Sequence, residues 1–118
     1  MTKQEVFNKL KPIIANYSDG LTIIVDKQDS YYLNTRHIMK NNKALFFAGV
    51  EIKKNYVSFH LMPVYVELTL LKGMSEPLKK RMQGKSCFNF IKTEPELVDE
   101  LKELTESAYQ YYLQQGYV

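Results

Sequence analysis

The chain has 118 residues, 45% hydrophobic and 25% charged, with a formal net charge of +3. That is the composition of a single soluble globular domain. The mild positive balance argues against a dedicated nucleic-acid binder, whose basic excess is larger and clustered.

The charge is unevenly spread: residues 1–92 hold 15 Lys/Arg against 7 Asp/Glu, and residues 93–118 hold 1 against 6. This reads as an acidic helix face set against a mildly basic body. Met1-Thr2-Lys3-Gln4-Glu5 leads directly into charged residues and lacks the apolar heart of a signal peptide. The longest apolar run, Ala44 to Val50, is too short to span a bilayer. Cys87 is the single cysteine, so no internal disulfide forms and a reducing cytosol is the expected compartment.

In chain order, Thr2-x-x-Glu5 is a capping box, and Val6, Leu10, Ile13, Ile14 and Tyr17 recur at helical spacing. The pattern predicts a helix over about 3–17, kinked at Pro12 and stopped by Ser18-Asp19-Gly20. Leu21 to Asp26 is β-branched and reads as a strand; after the loop 27–30, Tyr31 to Arg36 returns as a second. Arg36 to Lys43 is polar, with a turn at Asn41-Asn42.

Residues 44–62 form two aromatic and β-branched strands around Lys53-Lys54-Asn55, and Pro63 weakens any further ladder pairing. Glu67 to Leu71 predicts one helical turn closed by Gly73. Ser75 caps a short helix with Pro77 in its first turn, and Gly84 is expected to end it. Ser86 to Ile91 is the last strand. Thr93 and Glu96 form a second capping box, and Leu97, Leu101, Leu104, Ala108 and Tyr111 make the apolar stripe of a helix running to about Gln115.

Helix, strands, short helices, strand and long helix imply an α+β fold. The expectation is a two-layer sandwich, a mostly antiparallel sheet with the N- and C-terminal helices packed on one face.

The segments YYLNTRHIMKNNKALFFAGVEIKKNYVSFHLMPVYV and LKKRMQGKSCFNF resemble the bacterial YdhG-like family of small domains of unknown function. The resemblance covers roughly residues 20–112 and is most specific over Arg81 to Phe90. It implies that residues 1–118 form one YdhG-like domain, a compact α/β sandwich often compared with frataxin. For some relatives it also implies an intracellular iron-chaperone role. Iron handling of that kind uses an acidic ridge on the first helix and strand. Here Glu5 stands among Lys3, Lys9 and Lys11, and the strand region adds only Asp19, Asp26 and Asp29.

Strand alternation assigns the faces. Val57, Phe59, Leu61, Ser86, Phe88 and Phe90 are expected to face the helices, with Phe59, Leu61, Phe88, Leu101 and Leu104 in one core. Tyr56, Ser58, His60, Cys87 and Asn89 are left on the opposite face, which Asp26, Tyr32, Asn34 and Arg36 could join. A polar, aromatic sheet face of this kind suits a small ligand or a protein partner. Arg36, Tyr56, His60 and Cys87 are the candidate ligand-binding residues, and Arg36 would favour an anion.

Other chemistry is weakly supported. Cys87 and His60 could form a nucleophile–base pair, but no third orienting group is recognisable. His37, His60, Cys87, Asp26 and Asp29 lack metal-motif spacing. The carboxylates Glu96, Asp99, Glu100, Glu103 and Glu106 read as a solvated helix face. Gly84-Lys85-Ser86 resembles the end of a phosphate loop, yet Lys79 stands where the first Gly belongs and a strand follows instead of a helix. Tyr109, Tyr111, Tyr112 and Tyr117 cluster near the end of the chain, and more than two exposed would suggest self-association.

The leading expectation is a non-enzymatic cytosolic binding module without a cofactor, monomeric or weakly dimeric. A frataxin-like iron chaperone and a thiol enzyme using Cys87 and His60 are the alternatives.

Overall fold

The computed structural model describes residues 1–118. Helix α1 (Lys3–Ala15) begins at the expected capping box: the Thr2 hydroxyl accepts from the Glu5 amide at 3.0 Å, and the Thr2 amide donates to the Glu5 carboxylate at 3.0 Å. Pro12 lies inside the helix, which ends two residues earlier than the periodicity suggests. A short 3-10 turn, Ser18–Gly20, makes the exit.

Strands β1 (Thr22–Lys27), β2 (Ser30–Ile38), β3 (Ala44–Ile52) and β4 (Val57–Leu61) follow as successive antiparallel neighbours. β2 reaches further than its sequence suggests, because Ile38 pairs with Ala44 across the turn. Asn42 supplies the left-handed residue of that turn at φ 67°, a conformation asparagine tolerates better than most side chains.

Three segments depart from the sequence reading. Met62–Val66 forms helix α2, because Pro63 ends the ladder and its fixed φ suits a first helical turn. The helix expected to run to Gly84 is only α3 (Glu76–Lys79); Met82–Gln83 is strand β5, and Gly84 at φ 78° turns it into β6 (Cys87–Phe90). The final helix, α4 (Pro95–Gln114), starts at Glu94 with no side-chain cap. Thr93 instead contacts the Met1 sulfur through its amide and its hydroxyl, each at 3.4 Å.

The sheet has six strands in the order β1-β2-β3-β4-β6-β5, every neighbouring pair antiparallel. α1 and α4 cover one face, so the fold is the expected two-layer α+β sandwich. Phe59, Leu61, Phe88, Leu101 and Leu104 all belong to its single buried core. On α4 the last buried aromatic is Tyr112, whereas Tyr111 is only half-buried, which corrects the stripe by one residue. None of the four C-terminal tyrosines is exposed, so the condition for a tyrosine self-association patch is not met. No helix is long and apolar enough to cross a membrane.

The ladders shift register in three places, one of them between Asn34 and Ile38 across Arg36, and the other two decide which central side chains reach the open face. In β1, Ile23 pairs with Leu33 and Val25 with Tyr32, leaving Ile24 unpaired. This turns Asp26 to the helical side, where Lys11 meets it at 3.3 Å. In β3, Leu33 pairs with Ala48 but Asn34 with Phe46, so Phe47 is the extra residue. Phe47 and Ala48 both enter the core, while Phe46 is left on the open face.

Candidate functional site

The open face is built around one cross-strand row. Tyr32 pairs with Gly49, Gly49 with His60, His60 with Cys87 and Cys87 with Gln83. A second row, Ser30, Glu51, Ser58 and Asn89, runs beside it. Directly opposed residues share a face in an antiparallel ladder, so these side chains stand together. All of them but Ser30 line a concavity of about 270 Å³ with Lys53 and Tyr56 from the β3–β4 hairpin.

Gly49 belongs to the open face yet is buried, because the Tyr32 ring lies over it. Any Cβ at this position would fall within the ring itself. Glycine in a strand marks this kind of close approach. We expect Gly49→Ala to swing Tyr32 off the sheet and cost about 1–3 kcal/mol, the usual range for forced overpacking. Denaturant midpoints and Tyr32 ring resonances would check it; an unshifted ring at unchanged stability would refute the close approach.

Phe46 packs edge-on against His60, with ring centroids 5.1 Å apart, and against Tyr32 at 6.0 Å. Partial burial lowers the His60 imidazole below its ordinary value of 6.5, since desolvation disfavours the charged ring. The unfolded chain therefore binds this proton at higher pH than the folded protein. Stability should be full above about pH 6.5, fall as pH drops through that value, and level off below the lower folded pKa. Urea midpoints from about pH 7.5 to 5 should show a steeper loss for the wild type than for His60→Gln. Parallel curves would remove His60 as the cause.

Of the four expected site residues, the structure brings Tyr56, His60 and Cys87 together and leaves Arg36 out. Arg36 lies four residues along β2 from Tyr32, roughly 13 Å at strand rise, toward the end away from Tyr56. Its guanidinium is exposed and lies 3.4 Å from the Asp19 carbonyl. The anion-favouring charge read from the sequence is therefore absent from the concavity. Tyr32 joins the site, Asn34 stays on the open face outside it, and Asp26 is on the other side of the sheet.

Gly49, Glu51, Lys53 and Gln83 were not legible as site residues. Gln83 was hidden because its segment reads as a helix end. Gly49 carries the one available signal, a glycine within an apolar strand.

Elsewhere, no group of three or more His, Cys, Asp or Glu side chains is disposed to hold a metal ion. Within the α4 carboxylate stripe, Glu100 accepts from the Ser75 hydroxyl at 2.6 Å and the Ser75 amide at 2.8 Å. That carboxylate fixes the start of α3. Glu94 likewise binds Arg81 at 2.9 Å. His37 stacks on Tyr117, with centroids 4.6 Å apart, far along the chain from His60.

Comparison with protein-family models, with curated proteins and with solved structures returns no match.

Proposed function

We propose that the chain is a non-enzymatic binding module, of the bacterial YdhG-like kind and working in the cytosol, that holds a small ligand on its open sheet face. The observation that carries this reading is a contrast in hydrogen bonding. On the helical side, the buried Thr35 hydroxyl donates to the Leu45 carbonyl at 2.8 Å, Thr105 to the Leu101 carbonyl at 2.7 Å and Tyr112 to the Phe46 carbonyl at 2.9 Å. In the concavity, the half-buried side chains of Tyr32, Tyr56, Ser58, His60 and Asn89 have no partner within the chain. Convergent unpaired polar groups beside aromatic rings are what a ligand site requires.

The absence of any side chain orienting His60 favours binding over Cys87-based catalysis, which needs a base held in place. The lone free thiol supports a reducing compartment. The resemblance in Arg81 to Phe90 is what supports the YdhG-like assignment.

The reading is tested by amide shift mapping against small acids, amides, nucleotides and metal salts. Shifts should cluster at residues 56–60 and 87–89. His60→Ala should abolish them while changing stability by less than about 1 kcal/mol. Arg36→Ala should leave them unchanged. Shifts confined to the helical face, or insensitive to His60→Ala, would overturn the proposal.

A further inference from the structure

The concavity also constrains what kind of molecule it takes, an inference that rests on the binding reading above. Its volume of about 270 Å³ is just below the ~300–1,000 Å³ of drug-sized pockets, so the occupant is small. Its two formal charges, Glu51 and Lys53, already meet at 3.0 Å. The lining therefore carries no net formal charge, so an ion of either sign gains no excess counter-charge there. What remains is neutral and two-sided: each primary amide, Gln83 and Asn89, presents a donor and an acceptor, as do the Ser58 hydroxyl and an uncharged imidazole. Tyr32 from β2 and Tyr56 from the β3–β4 hairpin add aromatic surface. Amide side chains are the groups that read the donor–acceptor edge of a planar ring bidentately.

We infer that the concavity takes an uncharged ring compound with adjacent hydrogen-bond donors and acceptors on one edge, such as a free nucleobase or a lactam of similar size. The Gln83 and Asn89 amides bind its polar edge, and Tyr32 and Tyr56 pack against its ring. A ring embedded in single-stranded RNA fits less well. Strand binding needs a cationic track for phosphates, and the one cation lining this site is neutralised by Glu51.

The test uses the full chain, isotope-labelled, titrated separately with adenine, uracil, nicotinamide, sodium phosphate, sodium acetate and a short single-stranded RNA. At least one ring compound should move the side-chain amide signals of Gln83 and Asn89 saturably, together with backbone signals of 58–60 and 87–89. Gln83→Ala and Asn89→Ala should each weaken that binding about tenfold, the loss expected for one hydrogen bond to a poorly solvated partner. Open-face shifts with phosphate or acetate but not with the rings would overturn the ligand class while leaving a binding face. Tighter binding of the RNA than of the isolated rings would also overturn it. Ring-induced shifts that survive both substitutions would remove the amides from the site and the inference with them.

Discussion

Tyr112→Ala is expected to destabilise the fold by about 3–5 kcal/mol, the range for emptying a buried aromatic site. The side chain is fully buried and packs against Phe47 from the sheet and Tyr117 from the C-terminal tail, at centroid distances of 6.0 and 5.4 Å. Tyr112→Phe separates the hydroxyl from the ring. It removes only the 2.9 Å bond to the Phe46 carbonyl and should cost about 1–2 kcal/mol. That carbonyl sits beside the β3 bulge, and the Phe46 ring touches His60 on the other face. Tyr112→Phe should therefore also shift the His60 ring resonances, although the two side chains lie on opposite sides of the sheet. Burial also pushes the Tyr112 phenol above its ordinary value of 10. The unfolded chain thus loses this proton first, and stability declines as pH rises past that value. Denaturant unfolding of the two variants checks the energies. A neutral Tyr112→Phe would show that the hydroxyl contributes nothing.

Truncation of Phe59 should be as damaging, about 3–5 kcal/mol, with Leu61, Phe88, Leu101 and Leu104 to alanine falling between about 2 and 5. Phe59 and Phe88 are directly opposed on β4 and β6 and meet edge to face at 6.4 Å. A double-mutant cycle on this pair should return roughly 0.5–1.5 kcal/mol of coupling beyond simple burial. The adjacent residues give the control. Ser58, His60 and Asn89 alternate with the core set, and their alanine variants should cost less than about 1 kcal/mol. Equal costs at both sets of positions would mean that the strand register is wrong, since a slip of one residue exchanges the faces.

The face assignment along β4 and β6 was readable from the chain because strict alternation survives there. Val57, Phe59, Leu61, Phe88 and Phe90 are large and apolar, and their neighbours are not, so one register buries much more apolar surface than the other. Tyr56, His60 and Cys87 follow from it. On β1 and β2 the same logic placed Asp26 on the wrong side of the sheet. A single bulged residue, Ile24, reverses the alternation, and nothing in TIIVDK announces it. Arg36 failed for a different reason. It is three strands of pairing and several residues away from Cys87, and face alone says nothing about distance along a strand.

Local chemistry determined the elements: the Thr2–Glu5 box starts α1, Ser75 with Pro77 opens α3, Gly116 follows α4, and β-branched runs make the central strands. These depend on contacts within a few residues and on backbone preferences, which a sequence carries directly. The concavity depends on partners chosen at long range. Pairing Gly49 with Tyr32 fills a missing side chain with a ring. Pairing β5 with β6 recruits Gln83, and the bulge at Phe47 aims one phenylalanine at His60 and the next at the core. Packing settles such choices through the shapes of side chains distant in the chain, so only the tertiary structure decided which polar groups share the site.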